Sequence, residues 1–248
     1  MKIGELVLLI SSKHSYLFEI GKGEMHTEDG VFYSKDLLKK KFGDMIKTNI
    51  DKEFSIAKPN IVDILGKSKR LPQIIMPKDT ALILAYTGVQ SGSLVVDAGT
   101  GSGFLAIFIG NYIKPGKVVT YEKDKSFAKI AKENIRNSGL SKFIQLKQKD
   151  ISKGITEKDV DLITLDMKGS EKIVKHAYKV LKPGGWLVVY SPYIEQVKEV
   201  VKEIEKKNFS ELKTVENIVR EWQVREHTLP MRSGITHTGF LTFARKVK

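Results

Sequence analysis

The sequence predicts an α/β protein with an open, mostly parallel sheet of seven strands, preceded by a small β-rich domain. Apolar runs alternate with amphipathic helical stretches from residue 93 onward, a pattern typical of parallel sheets. A turn of alternating glycines follows the first of these runs. Short apolar runs between glycine turns fill the first 70 residues, as in a small barrel or a curled sheet.

We expect a boundary near residue 70, which gives a β-rich domain over residues 1–70 and a larger domain over residues 71–248. Residues 6–10 and 15–20 are typical strands of the first domain. Residues 67–79 carry two prolines around an apolar core and predict a hinge. Asp79 or Thr80 is expected to cap the helix that follows it.

The larger domain is predicted element by element from its hydrophobic periodicity. Gly139 is expected to end one amphipathic helix, and the Lys-Pro-Gly-Gly sequence at 182–185 another. Strands are expected near residues 93–97, 117–121, 143–147, 161–165 and 186–190, helices over 126–138, 171–181 and 193–207, and two closing strands over 212–219 and 238–244.

Composition and charge narrow the possible partners. Lys and Arg outnumber Asp and Glu by 42 to 29, giving a net charge of +13 and a pI of about 9.6. This excess favours a polyanionic partner such as a nucleic acid, although a lysine-rich composition bias remains an alternative. Cysteine is absent and the five histidines show no ligand spacing, so we expect no metal. We also expect a cytoplasmic protein without a membrane span, because no long apolar stretch or signal peptide is present.

The glycine turn and a later carboxylate predict an adenosine-containing cofactor. Residues 94–103 read Leu-Val-Val-Asp-Ala-Gly-Thr-Gly-Ser-Gly, and the next apolar run ends at Glu122. Glycines let the backbone turn tightly and let a ligand approach, because no Cβ is in the way. A carboxylate at the tip of the following strand is placed to accept both hydroxyls of a ribose. A glycine-rich turn without a ligand is the alternative.

The spacing Gly99-x-Gly101-x-Gly103 differs from the dinucleotide fingerprint, and Asp97 before it suits a cation. The loop resembles motif I of class I S-adenosylmethionine-dependent methyltransferases, which have a Rossmann-like sheet of seven strands with a C-terminal antiparallel hairpin. The resemblance implies S-adenosylmethionine (AdoMet) as cofactor. The residues implied to bind it in this loop and after it are Asp97, Gly99, Thr100, Gly101, Ser102, Gly103, Glu122 and Asp150.

Several further segments resemble the tRNA adenine-N1 methyltransferases, which make 1-methyladenosine in the T-loop of tRNA. The resemblance implies a homotetramer that methylates adenosine 58, or 57 and 58, and an N-terminal domain that helps to hold tRNA. The segments are Arg70-Leu-Pro-Gln73-Ile-Ile-Met76-Pro77-Lys78-Asp79, Asp97 to Gly103, Tyr121-Glu122, Leu165-Asp166, Leu181-Lys-Pro-Gly-Gly185, Arg220-Glu221-Trp222 and His237-Thr-Gly-Phe-Leu-Thr-Phe-Ala-Arg245.

The resemblance also implies roles for residues around the cofactor. Asp166 is the implied catalytic residue, with cofactor contact or helix capping as alternatives. Asp150 is implied to meet the adenine amine of AdoMet. Gln73 and the Pro77-Lys78 segment resemble a lid over the cofactor, or else serve as a cap and hinge. Met76 replaces a tyrosine that packs against the target base in the family.

Basic and aromatic residues outside the cofactor loop are also candidate functional residues. Arg70 belongs to a basic cluster with Lys67 and Lys69 that contacts tRNA phosphates or is a solvated charge run. His237, beside the expected substrate site, is interpreted as a hydrogen-bonded core histidine rather than a base. Trp222 is interpreted as packing rather than as a stacking platform.

One departure from the family keeps other functions open. The family often carries Asp-Leu-Pro-x-Pro after the fourth strand, whereas residues 166–170 here read Asp-Met-Lys-Gly-Ser. A non-catalytic tRNA-binding subunit that keeps the fold is therefore one alternative. A protein isoaspartate carboxyl methyltransferase is another, but it leaves the basic charge and residues 73–79 unexplained.

Overall fold

The computed structural model describes residues 1–71, 74–226, 228–231 and 237–248. These residues form two compact units, Met1–Ser68 and Lys69–Lys248. The division falls within the segment of residues 67–79, where the sequence predicts a hinge. None of the helices in the described ranges combines the length and the apolar character needed to cross a membrane.

The first unit is built on an antiparallel sheet with the strand order β2-β1-β6-β5, beside a separate β3-β4 hairpin. The order of the four strands is open, which corresponds to a sheet and not to a closed barrel. Its strands are β1 (Leu6–Ile10), β2 (Ser15–Glu19), β3 (Glu24–Thr27), β4 (Gly30–Tyr33), β5 (Met45–Lys47) and β6 (Glu53–Ala57), and its helices are α1 (Ser34–Leu37) and α2 (Ile61–Lys67).

Aromatic side chains form the centre of this unit. Phe32 and Phe54 are both buried and meet edge to face, with their ring centroids 5.0 Å apart. Tyr16 packs against both rings, and its hydroxyl donates a hydrogen bond of 2.7 Å to the buried carboxylate of Asp29. The core therefore joins the β3-β4 hairpin to the four-stranded sheet through β4 and β6.

The second unit contains the seven-stranded sheet, in the order β12-β15-β11-β10-β7-β8-β9. Its helices are α3 (Pro77–Thr87), α4 (Phe104–Ile113), α5 (Lys125–Asn137), α6 (Val174–Val180) and α7 (Ile194–Glu205), and its strands are β7 (Leu94–Ala98), β8 (Lys117–Tyr121), β9 (Ile144–Lys147), β10 (Val160–Leu165), β11 (Leu181–Ser191), β12 (Phe209–Glu216), β13 (Trp222–Gln223), β14 (Leu229–Pro230) and β15 (Phe240–Lys246).

The sheet order creates a crevice beside its central strand. Strands β9, β8, β7, β10 and β11 are parallel, and β15 lies antiparallel between β11 and β12. From β7 the chain moves outward to β8 and β9, and then returns to β10 on the other side of β7. Such a reversal opens a crevice at the carboxyl ends of the two inner strands, where α/β sheets bind ligands. Here the crevice lies between the tips of β7 and β10.

Three predicted elements differ from the structure. Helix α3 begins at Pro77 after Met76, so Asp79 and Thr80 do not cap it; proline is favoured at the first helical position because its missing N–H needs no partner there. The expected helix over 171–181 is a 3₁₀ turn followed by the shorter α6. The Lys-Pro-Gly-Gly sequence expected to end it lies within β11.

Helix α4 and one hairpin of the second unit are missing from the sequence prediction. Seven of the ten residues of α4 are buried, so the helix is apolar on nearly all sides and shows no amphipathic period. The short β13-β14 hairpin is also unpredicted. Its Trp222 is 52% exposed, so the interpretation of this side chain as packing is wrong.

We expect Phe54→Ala to lower the free energy of unfolding by about 3–5 kcal/mol, because it removes a buried ring and leaves a cavity against Phe32. Phe42→Ala is the matched control in the same unit; Phe42 is 42% exposed, and we expect a cost under about 1 kcal/mol. Urea denaturation followed by circular dichroism measures both. Equal effects of the two substitutions would contradict the assignment of Phe54 to the core.

Candidate active site

The glycine turn after β7 is held against the tip of β10. Gly99, Gly101 and Gly103 all have left-handed φ angles, of 84°, 54° and 85°. A Cβ on Gly99 would lie 1.9 Å from the backbone carbonyl oxygen of Asp166, which is far inside a van der Waals contact. The Asp166 amide donates a hydrogen bond of 2.8 Å to the carbonyl of Ala98. Glycine is therefore required at position 99 by both conformation and space.

Glu122 faces this turn from the tip of β8. The side chain is buried, and its two carboxylate oxygens accept hydrogen bonds from the amides of Gly101 (3.0 Å) and Asp124 (2.9 Å). Each carboxylate oxygen can accept a second hydrogen bond. The turn and the carboxylate are thus fixed relative to each other, with acceptor capacity left for hydroxyl groups of a ligand.

Asp97, on β7, is more deeply buried than Glu122. It is 1% exposed and accepts hydrogen bonds from the hydroxyls of Thr120 (2.6 Å) on β8 and Thr164 (2.7 Å) on β10. Thr120 also shares a hydrogen bond of 2.5 Å with Thr100 of the glycine turn. Burial raises the pKa of the Asp97 carboxyl. In the structure this residue therefore ties three strand tips and the turn together.

A cleft of about 230 Å³ opens beside the turn. Asp150 borders the cleft, where its carboxylate accepts the Ser152 amide at 2.9 Å; this hydrogen bond holds its pKa below the usual range. Met167 and Ile151 supply apolar walls. The described lining residues are Gly99, Tyr121, Glu122, Lys123, Lys149, Asp150, Ile151, Met167 and Lys168.

The glycine turn also contains an unpaired buried hydroxyl. Ser102 is 2% exposed, and among the described residues its Oγ has no hydrogen-bond partner. Its carbonyl is satisfied by the side-chain amide of Asn134 at 2.8 Å. Buried polar atoms are nearly always paired, so an unpaired hydroxyl within a cradle of glycines fits a site that is completed by a bound ligand.

Asp166 combines burial with a nearby acid. Its side chain is half-buried just beyond β10, and desolvation together with the charge of Asp97 raises its pKa to about 7. Tyr190 lies near the end of β11, where burial and the charges of Asp166 and Asp79 raise the tyrosine pKa to about 12. A carboxyl group that titrates near neutral pH at the mouth of a crevice is typical of a functional site.

The family model described as tRNA methyltransferase complex GCD14 subunit matches residues 67–234 of the chain. The chain belongs to this family. It is also 34% identical to the Methanocaldococcus jannaschii tRNA (adenine(57)-N(1)/adenine(58)-N(1))-methyltransferase TrmI, over 93% of this chain and 90% of the relative. A tRNA (adenine(58)-N(1))-methyltransferase TrmI of Thermus thermophilus is 29% identical over 99% of this chain and 98% of its own length.

Solved structures of two bacterial methyltransferases share the whole fold. A SAM-dependent O-methyltransferase from Thermotoga maritima superposes with a TM-score of 0.90 at 31% identity, covering 100% of this chain and 95% of the other. The tRNA (m1A58) methyltransferase TrmI from Aquifex aeolicus superposes with a TM-score of 0.82 at 25% identity, covering 100% and 99%. These findings confirm the predicted family and its Rossmann-like methyltransferase sheet.

The structure locates three of the candidate residues at the start of the second unit, Lys69, Arg70 and Met76. Met76 precedes α3 and is 41% exposed. The guanidinium of Arg70 lies 5.7 Å from the ring centroid of Phe104, at the start of α4. Lys69 forms an ion pair of 2.9 Å with Glu133, so it is not a free cation of the basic cluster. Gln73 lies outside the described residues.

His237 is hydrogen-bonded as expected, but it is not a core residue. The side chain is 46% exposed, its Nδ1 meets the carboxylate of Glu216, and its Nε2 donates to the carbonyl of Pro192 at 3.1 Å. The hydrogen bond to Glu216 raises the histidine pKa. The apolar residues that follow it are buried within β15, whereas His237 precedes that strand, and this explains the error.

Sequence reasoning missed two features of the site. Tyr190 follows the apolar run of β11, and its place near the strand tip is the signal that could have identified it. Thr120 and Thr164 precede the tips of β8 and β10, but their shared partner is visible only once the strands are paired.

We expect the Asp166 carboxyl of the ligand-free protein to titrate near pH 7, because burial and Asp97 disfavour its charged form. Carbon-13 NMR of labelled aspartates measures the midpoint, and Asp166→Asn assigns the signal. Asp97→Asn should move the midpoint to lower pH, whereas Asp124→Asn, which changes an N-cap of α5, should not. A midpoint near pH 4 in the unsubstituted protein would contradict this account.

Proposed function

We propose that this protein transfers a methyl group from AdoMet to N1 of an adenosine in the T-loop of tRNA. The observation that carries the proposal is the contact between Gly99 and Asp166. The backbone of Asp166, whose carboxyl pKa is raised to about 7, therefore adjoins the turn that would cradle the cofactor, which supports the proposal. The archaeal and bacterial relatives are tRNA adenine-N1 methyltransferases by name, and this supports the substrate and the acceptor atom.

The residues around the cleft suit AdoMet. Glu122 offers acceptors for the two ribose hydroxyls, and Asp150 an acceptor for the adenine amine. Met167 and Ile151 offer apolar surface to the base. Structural neighbours described as SAM-dependent support this cofactor. When bound, AdoMet supplies a methyl group on a positively charged sulfur.

Asp166 has an orienting and electrostatic task in this reaction. The N1 atom of adenine carries an in-plane lone pair, so it attacks the methyl group without first losing a proton. The base becomes cationic as the new bond forms. A carboxylate that accepts a hydrogen bond from the exocyclic amine holds the ring in the plane of attack and stabilises the developing charge. Asp166 must be ionised for both purposes.

Position 58 is the proposed target, with position 57 as a second candidate. The Methanocaldococcus relative is named for both positions, and the Thermus relative for position 58 alone. Reaching a T-loop adenosine requires its extrusion from the tRNA fold. The net charge of +13 supports a tRNA substrate. The proposed enzyme is a cytoplasmic homotetramer whose N-terminal unit helps to hold the tRNA.

The sequence alternatives are less well supported. The chain keeps the complete glycine turn, Glu122 and Asp166, which a non-catalytic subunit would not need. An isoaspartate methyltransferase does not account for the family match. The Thermotoga neighbour is described as an O-methyltransferase, so the assay below distinguishes methylation of the base from that of the ribose.

We expect the protein to methylate an unmodified tRNA transcript with labelled AdoMet and to yield 1-methyladenosine after digestion, identified by mass spectrometry. Asp166→Ala should lower kcat by about 10²–10³-fold, because a hydrogen bond made in the transition state is lost. A transcript with guanosine at position 58 is the substrate control. If AdoMet and tRNA both bind but no methyl group moves, the protein is a binding subunit.

The rate should also depend on pH through Asp166. Its carboxyl is neutral below a pKa of about 7, so single-turnover rates should rise as the pH increases toward neutrality and then level off. A bound sulfonium charge favours the carboxylate, which places the midpoint of the rate profile at or below that value. Asp166→Asn should abolish this rise. A profile that falls between pH 6 and pH 8 would contradict the proposed ionised state.

We expect Gly99→Ala to abolish measurable AdoMet binding in calorimetry, since its methyl group would displace the backbone at Asp166. Gly139→Ala is the matched control. Gly139 has a similar left-handed φ of 73°, but a Cβ there meets nothing within 4 Å, so the expected cost is about 1–2 kcal/mol of stability without loss of binding. Retained affinity in Gly99→Ala would place the cofactor elsewhere.

A further inference from the structure

A buried lysine–aspartate pair lies at the start of α3, outside the cofactor cleft described above. The ammonium of Lys78 bonds both carboxylate oxygens of Asp79, at 2.8 and 3.0 Å. Asp79 is 1% exposed and the Lys78 side chain 19%. A buried ion pair is costly unless further hydrogen bonds satisfy its members, so its partners indicate what it holds.

The partners of this pair come from two distant parts of the chain. Lys78 Nζ donates to the carbonyl of Asn217 (2.5 Å) and to the Thr238 hydroxyl (2.8 Å), and that hydroxyl donates to Asp79 (3.0 Å). The side-chain amide of Asn217 donates back to the Lys78 carbonyl at 2.9 Å. Asn217 follows β12 and Thr238 precedes β15, so the pair joins both strand ends to the first turn of α3.

Tyr190 connects this cluster to the proposed catalytic acid. Its hydroxyl donates a hydrogen bond to the carbonyl of Thr238. In the pairing of β10 with β11, Leu165 lies opposite Val189, so Asp166 and Tyr190 follow adjacent positions on neighbouring strands. The charges of Asp166 and Asp79 also raise the pKa of the tyrosine. Met76 also belongs to the held turn, because its carbonyl accepts the amides of Asp79 (2.9 Å) and Thr80 (3.1 Å).

We propose that Lys78 and Asp79 are positioning residues that fix Met76 and the ends of β12 and β15 on the target-base side of Asp166. The inference rests on the function proposed above. It differs from the lid over the cofactor that the sequence suggested for the Pro77-Lys78 segment. The ammonium of Lys78 is directed to Asp79, Asn217 and Thr238, and none of these three is among the described residues that line the cleft.

The ion pair must be tested without leaving a buried charge unpaired. Lys78→Met combined with Asp79→Leu removes both charges together, whereas either change alone would leave its partner buried. Thr238→Val removes only the bridging hydroxyl at nearly constant shape. Lys206→Met is the matched control, since it removes an exposed ion pair with Glu203 on α7.

Three measurements are made on each full-length variant. Hydrogen exchange by mass spectrometry follows peptides that cover residues 74–84 and 237–246. Calorimetry gives the affinity and stoichiometry of AdoMet binding. Methylation kinetics with saturating AdoMet and a tRNA transcript separate kcat from KM.

In the double variant we expect faster exchange in both peptides, and AdoMet binding with unchanged affinity and stoichiometry. We also expect a kcat lower by about 10- to 100-fold, the loss that a small misplacement of a reacting group causes. Thr238→Val should change exchange and kcat in the same direction by a smaller factor, and Lys206→Met should change neither. Unchanged stoichiometry shows that the lower rate does not come from a smaller folded fraction.

Two results would overturn the inference. A fall in AdoMet affinity as large as the fall in kcat would assign the pair to a cofactor lid. Unchanged exchange and unchanged kcat in both the double variant and Thr238→Val would assign it no positioning role. If the unsubstituted protein methylates no tRNA, the proposed function fails, and the exchange and calorimetric data still decide whether the pair holds these strand ends.

Discussion

The site depends on the close approach of two backbones at the tips of β7 and β10. Where the chain turns after β7, the Asp166 carbonyl occupies the space that a Cβ of Gly99 would need. The same two strand tips are joined by the hydrogen bond from the Asp166 amide to Ala98. One missing side-chain atom thereby fixes both the shape of the cofactor turn and the position of the proposed catalytic acid.

The acidic residues around this contact fall into two groups, those that accept backbone hydrogen bonds and those that are desolvated. Glu122 and Asp150 accept backbone amides, which suits carboxylates that bind polar hydrogens of a ligand. Asp97 and Asp166 are desolvated, and both pKa values rise. Lys123, Lys149 and Lys168 also line the cleft, so its charges are mixed, whereas the net charge of +13 of the whole chain favours a polyanion.

What the sequence could predict follows from how far apart the interacting residues lie. The glycine turn and Glu122 act across some twenty residues of one β-α-β unit, so their spacing alone predicts an adenosine site. The Lys78 cluster joins residues 139 and 160 positions apart, which no local pattern reveals. Helix α4 was missed for another reason: its burial removes the polar face that periodicity requires.

The departure after Asp166 bears on whether the protein is active. Prolines in the family's Asp-Leu-Pro-x-Pro segment restrict the backbone beyond the acid. Here Gly169 takes a left-handed φ of 83°, and the hydroxyl of the buried Ser170 donates a hydrogen bond of 2.6 Å to the Met167 carbonyl. The turn is thus closed by a hydrogen bond instead of by proline rings, and Met167 and Lys168 still line the cleft. The segment beside the proposed catalytic acid is therefore held by its own hydrogen bond, which favours the proposed enzyme over a subunit that has lost its chemistry.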